Sequence, residues 1–316
     1  MDPKVILISI FLPFSLISTI VYVYVLAVIL RNRELREKAF FMLNVAMGVA
    51  DIGTIWSIYI FHRLRDFPFS NPFYLMFGDY GILAFMCTNG FGFFFNTQKY
   101  MLLIIGFNRF TAVIFPSVHT QAWTKKVCLY SILCIMAFNA AHAAATQIIG
   151  PSSFWYKSPE LLTCKTKNEA LYAVNLRYNA ITPILVASLL LTIYGTVIIS
   201  LCINRSKIEA SNVSKLRAYK VEVKLTICVI LHSLVLINSG IADAFNYVFG
   251  INIEFNKEVN DVMQDILCGC NPYLLLLFST QLRKHVFYHR TCLVQNSGAG
   301  QSPMFTAVAR MQPTVS

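Results

Sequence analysis

Charged side chains are scarce: only 13% of the 316 residues are Asp, Glu, Lys or Arg, against 56% that are hydrophobic. So little charge cannot clothe a soluble domain of this size, and the composition excludes that class. An internal repeat, a low-complexity linker and an appended polar domain are also missing. Matched halves with broken helices, the mark of many transporters, have no counterpart. There is no HExxH, no GxSxG and no pair of catalytic aspartates in facing spans, which argues against an intramembrane enzyme. The nine cysteines are scattered, and Cys268 and Cys270 are merely two apart. No CxxC pair with a matching partner exists, so neither a metal nor any other cofactor is expected.

What the chain does have is long apolar runs, near 5–30, 39–61, 82–108, 127–149, 178–203, 225–249 and 261–280. A hydrocarbon core about 30 Å thick needs roughly 20 such residues per helix. All seven are long enough, and the expected fold is all-α, a seven-transmembrane helix bundle forming one domain over 1–290. Residues 291–316 look like a disordered tail. The run from Val5 to Leu30 ends in Arg31, Arg33, Arg36 and Lys38. It exceeds the roughly 7–15 residue core of a signal peptide and lacks a basic leader, so it reads as a retained helix.

Basic residues are held on the cytoplasmic side, and here they divide unequally between alternate loops. One set holds seventeen of the 26 Lys and Arg and the other eight, with Lys99 inside the third span. This predicts an amino terminus outside and a tail inside. The overall charge of +11 does not point to nucleic acid. Its excess lies in short juxtamembrane loops, where the anionic lipid bilayer and a negatively charged intracellular partner account for it. The sequons at Asn204 and Asn212 fall in a loop assigned to the cytoplasm and are expected to carry no glycan.

After the seventh run, TQLRKHVFYHR places Leu282, Val286 and Phe287 on one face and Arg283, Lys284 and Arg290 on the other. That pattern predicts a short interfacial helix over 281–290. Cys292 follows it, either as a palmitoylation site or as an unmodified thiol.

Ionisable groups inside spans cost roughly 2.5 to 3.5 kcal/mol each and need a partner or a purpose. Four stand out: Asp51, Lys99, Asp243 and Asp265. Asp51 and Lys99 are at similar depth and predict an internal polar network, either a static pair or one that differs between two helix arrangements. Asp243 and Asp265 lie nearer the outer side, to recognise a cationic or hydrogen-bonding ligand or simply to be solvated at helix ends. In NGFGFFFNTQKY, Phe91, Phe94, Phe95 and Asn96 are candidates to line a ligand cavity, with plain helix packing as the alternative. His142 and His232 read as satisfied core histidines. Cys87 and Cys164 are placed to face the oxidising side and to form a disulfide over the bundle mouth.

Three patterns resemble rhodopsin-like G-protein-coupled receptors: Asp51 in NVAMGVAD, the triplet Asn108, Arg109 and Phe110, and Asn271 with Pro272 in NPYLL. More closely, IIGFNRFTAVIFP with Trp123 beyond it, and NPYLLLLFSTQLRKHV, resemble nematode serpentine chemosensory receptors of the class gamma superfamily, nearest to class v. The likeness runs to about His289. It implies a chemosensory receptor with an extracellular small-molecule ligand and a cytoplasmic heterotrimeric G-protein, and a place in the plasma membrane, including cilia of chemosensory neurons. Arg109 would face the G-protein, and Asn271 with Pro272 would mark a weak point in the seventh helix. The departures are specific. Asn108 replaces an acid, Leu275 replaces a tyrosine, the sixth span has no proline, and Cys87 stands nearly one turn closer to the arginine than the family's bridging cysteine. No lysine in the seventh span offers retinal an attachment. The rival reading is an ion or solute carrier or channel using the intramembrane Asp and Lys residues, against which the odd number of spans stands.

Overall fold

The computed structural model describes residues 3–156, 162–166, 168–209, 229–241, 244–245 and 254–286. Its elements are almost all helical. In chain order they are α1 (Pro3–Arg31), α2 (Arg33–Arg36), α3 (Ala39–Ser57), α4 (Asn71–Leu75), α5 (Ile82–Ile114), α6 (Pro116–Ala122), α7 (Lys125–Ile149), α8 (Glu169–Glu209), α9 (Val229–Ile241), α10 (Glu254–Phe278) and α11 (Thr280–Val286). Beyond Ser57, α3 continues through a π turn over Ile58–Arg63 and a short turn over Leu64–Asp66. A hairpin of β1 (Ser152–Tyr156) and β2 (Leu162–Thr166) joins α7 to α8. The result is an all-α seven-helix membrane bundle with, among the described residues, one short β-hairpin, an element that the apolar runs did not announce.

The polarity of the bundle is that of a protein dissolved in lipid. Ile10, Ile17 and Ile20 on α1, Tyr130, Leu133 and Phe138 on α7, and Leu185, Leu189 and Ile199 on α8 are exposed. Asp51, Asn96, Gln98, Lys99 and Asn139 are buried. Hydrocarbon accepts the first group freely and makes the second expensive unless protein surrounds it. Four segments, Val5–Arg31, Ala39–Asp66, Lys125–Ile149 and Glu169–Ile203, are long and apolar enough to cross unaided. Helix α5 is the polar exception and lies inside, packed against α3, α7 and α8.

With lipid tails as apolar as the side chains, close packing rather than water exclusion holds such helices together. Gly106 shows this at the α5–α8 contact, where an added Cβ would lie 3.0 Å from Leu190 Cδ2. Around it, Met47, Leu102, Ile105, Leu190, Tyr194, Val229 and Leu236 form the main core.

The two ends of the bundle differ chemically. At one, Arg31, Arg33, Arg36, Lys38, Lys125 and Lys126 gather with the last turns of α5; this is the basic end. Asn32 caps α2 through Leu35 N (3.3 Å), and Thr124 caps α7 through Val127 N (3.3 Å). Here α11 turns 93° away from α10 and lies across the basic end. Leu282 and Val286 pack against Val25, Ile29, Leu35 and Phe41, while Lys284 is exposed. Lys38 Nζ donates to Gln281 Oε1 at 2.8 Å. The expected apolar face is thus present, but part of it seals the bundle floor. Phe287, Arg290 and Cys292 lie outside the described residues.

At the other end sits the hairpin. Phe154 pairs with Cys164 across it, and Phe154 N donates to Asp79 O at 2.9 Å. Phe154 and Leu162 bury against Phe61, Tyr74, Ala84 and Cys87. Tyr74 also donates to the carbonyl of Ile60, tying α4 to the end of α3.

Candidate functional site

Asp51 is fully buried and accepts from three helices at once. Tyr22 of α1 and Asn271 of α10 donate to Oδ2 at 2.5 and 2.7 Å, and Gln98 of α5 donates to Oδ1 at 2.8 Å. Gln98 Nε2 also lies 3.0 Å from Cys268 Sγ. Hydrogen bonds to a charged acceptor are the strong ones, and three of them replace the solvent that a carboxylate loses on burial.

The expected pairing of Asp51 with Lys99 does not form. Lys99 Nζ stands 4.7 Å from the Phe95 ring centroid and 5.8 Å from that of Tyr178, between α5 and α8. Depth was matched, but azimuth was not. One residue along a helix turns the side chain by about 100°, so Gln98 takes the Asp51 side and Lys99 the other.

Asp265 is corrected too. It does not open to a solvated vestibule; it is 0% exposed, with Arg63 Nη1 2.6 Å from Oδ2 and Tyr59 OH donating at 3.3 Å. Ser15 Oγ donates to Tyr59 OH at 3.3 Å, which brings in α1. The Arg63 guanidinium also lies 4.6 Å from the Tyr59 ring centroid. One turn earlier on α10, Asp261 stands 3.6 Å from His62 Nδ1. Asp265 has its cation already, supplied by the π turn that ends α3. Asp243 lies outside the described residues.

A cavity of about 250 Å³ opens between α3, α5, α7, α8 and the hairpin. Of the four α5 residues expected to line a ligand cavity, Asn96 does so. Phe91 instead stacks on Phe95, with centroids 5.3 Å apart, and packs against His62 at 4.8 Å. Phe94 fills the notch left by Gly53, where an added Cβ would lie 2.2 Å from the ring. These three are packing residues here. Sequence reasoning missed Arg65, Asn89, Asn175 and Asn179, and assigned His142 to the core although it lines this cavity, stacked on Tyr178 at 4.9 Å. The helical spacing of Asn89, Gly92 and Asn96, and of Tyr172, Asn175 and Asn179, was the signal available.

Cys87 and Cys164 meet at the rim of this cavity, both as thiols. Cys164 Sγ lies 2.9 Å from Thr88 Oγ1 and 3.2 Å from Ala84 O, and Cys87 Sγ lies 3.6 Å from Phe61 O. A hydrogen bond with the Cys87 thiol, and then burial, push the Cys164 thiol above its ordinary range.

A second cavity of about 80 Å³ lies nearer the basic end, lined by Asn44, Tyr194, His232, Asn271, Leu275 and Arg109 among others. The Arg109 guanidinium lies 3.9 Å from the Phe40 ring centroid. Asn108 beside it is buried. Two residues on, Thr111 Oγ1 accepts from Trp123 Nε1 at 2.7 Å and lies 3.0 Å from His119 Nδ1, fastening α6 to α5. Burial, and then the Arg109 charge, hold His119 below the usual histidine value.

A buried carboxylate knotted to an Asn-Pro helix, an Asn-Arg-Phe triplet at the basic end and a cavity at the opposite end are the arrangement that the bundle presents, and the class it falls in is that of the serpentine seven-helix receptors. The particular family follows from a family model. Residues 11–292 match that of the serpentine type 7TM GPCR chemoreceptor Srv, and the chain belongs to this family. No curated protein matches it.

Proposed function

We propose that the protein binds a small extracellular molecule at the hairpin end and signals through a heterotrimeric G-protein at the basic end. The observation that carries this reading is a single inward-facing stripe on α10. Asp261 and Asp265 engage the end of α3, Cys268 meets Gln98, and Asn271 holds Asp51 and lines the cavity that Arg109 shares. Immediately after Asn271, Pro272 removes one backbone hydrogen bond from the helix. One helix therefore touches both ends, and a ligand that favours one setting of α10 biases the other end by its differential affinity alone. Arg109 is the cation a G-protein would meet. The amino terminus faces outside and the basic end faces the cytoplasm, as the distribution of Lys and Arg supports. Placement in chemosensory cilia is an expectation of the family resemblance. Cys87 and Cys164 would close to a disulfide on the oxidising side.

The test is heterologous expression with a chemical panel and a second-messenger readout, repeated for Arg109→Ala. Signalling is expected to vanish while surface delivery persists. Undiminished signalling in the variant would remove Arg109 from the mechanism, and agonist-dependent solute flux without a second messenger would overturn the receptor reading.

A further inference from the structure

The larger cavity has a chemical polarity along its length, and we infer that it takes a short, elongated carboxylic acid carrying a hydroxyl or amino donor at its far end. This rests on the receptor reading for its purpose, though not for its chemistry.

The floor is set by two carboxamides. Asn96 is 4% exposed and lines the cavity, and its Oδ1 has no hydrogen-bond partner among the described residues. The same holds for Oδ1 of Asn175. These two residues stand about one turn above Tyr100 and Tyr178, whose hydroxyls are 2.7 Å apart, so they share a depth. Two buried oxygens left bare each cost about 1–3 kcal/mol, and a donor that reaches one of them recovers it.

The mouth is set by Arg65. Its Nη1 donates to Cys87 Sγ at 3.4 Å and its Nη2 lies 3.6 Å from Asp66, while Nε is buried without a partner among the described residues. The described lining includes this guanidinium and no Asp or Glu, while the His62 imidazole already faces Asp261 at 3.6 Å. That lining favours an anion over a cation. Guanidinium binds a carboxylate through directed N–H bonds, which makes the acid the fitting head group.

Size and shape follow from the same residues. Thr88, Gly92 and Asn96 line one face of α5 over eight residues, roughly 12 Å. A volume of about 250 Å³ is far more than the roughly 10–15 Å³ that one water needs, so the cavity has room for a small organic molecule. An extended chain such as 5-hydroxypentanoate, with a hydrogen bond at each end, suits that length.

The experiment uses the full chain in lipid nanodiscs, with thermal unfolding and direct binding as readouts. The probes are 5-hydroxypentanoate, 5-aminopentanoate, pentanoate, which lacks the far donor, and pentan-1-ol, which lacks the acid. The first two are expected to raise the melting temperature and to bind at least tenfold more tightly than the last two. Arg65→Gln should weaken 5-hydroxypentanoate at least tenfold and leave pentan-1-ol unchanged. Asn96→Leu should reduce 5-hydroxypentanoate to the level of pentanoate, and Asn175→Ala serves the same purpose if that variant does not fold. Equal shifts from all four probes, or none from any, would overturn the inference. Binding in nanodiscs involves no G-protein, so the site survives a failure of signalling. Conversely, signalling evoked by another compound and indifferent to Arg65→Gln and Asn96→Leu would leave the receptor reading standing and discard this site.

Discussion

Asn271 Nδ2 donates to Asp51 Oδ2 at 2.7 Å, joining α10 to α3 across 220 positions of sequence and one residue before the proline of α10. Three donors on three helices converge on that carboxylate, and Lys99 is not among them.

Asp51→Ala would strand Tyr22, Gln98 and Asn271 together. Loss of about 1–3 kcal/mol for each buried donor left unpaired is the relevant scale. A double-mutant cycle in detergent should give a coupling of about 0.5–3 kcal/mol between Asp51 and Gln98, and less than about 0.5 kcal/mol between Asp51 and Lys99. A large Asp51–Lys99 coupling would contradict the geometry described above.

Arg63 and Asp265 form a buried ion pair, 2.6 Å between Nη1 and Oδ2. Removing one partner leaves a buried charge, at a cost of about 3–5 kcal/mol, whereas replacing both by apolar groups is often tolerated. Arg63→Met alone should sharply reduce surface expression, and Arg63→Met with Asp265→Leu should restore much of it. Equal expression of wild type and the single variant would show that the pair does not stabilise the bundle.

At the rim of the larger cavity, Cys87 and Cys164 are close enough for their thiols to hydrogen-bond. Protein taken from the cell surface without reductant is expected to yield a peptide linking Cys87 to Cys164. Complete alkylation of both thiols under those conditions would rule the bridge out.

His119 packs on Thr111 beside Arg109, with its proton affinity held down by burial and by the arginine's charge. A histidine whose folded-state pKa lies below its unfolded value stabilises fully above the unfolded value, near 6.5. That contribution is lost as pH falls through the folded value. Hydrogen exchange in α6 should therefore rise on acidification below about pH 6, and His119→Gln should flatten the profile. An unchanged profile in the variant would assign the pH effect elsewhere.

Particular residues show where sequence reasoning reached and where it stopped. The burial of Asp51 was legible, because a charge in the middle of an apolar run must be enclosed; its meeting with Asn271 was not, and Lys99 was expected in its place. Nor were its other partners, since Tyr22 and Gln98 are ordinary polar residues until three helices assume one relative rotation. Asp265 misled for a related reason. Its partner Arg63 stands just past the end of the 39–61 run, and the π turn over Ile58–Arg63 is what carries that guanidinium inward. The phenylalanines of α5 formed a conspicuous stripe, yet the polar residues flanking them, Thr88, Asn89 and Asn96, line the cavity.

The linear chain by itself determined the solvent, the number of crossings and the family, because these depend on quantities summed along it: the length of apolar runs, the placing of Lys and Arg, and short motifs at helix ends. Only the tertiary structure decided which buried polar groups meet, because a partner is chosen by the rotation of a helix about its own axis. A turn of about 100° per residue leaves no trace in hydropathy or depth, yet it separates Gln98, bound to Asp51, from Lys99, which stands between α5 and α8.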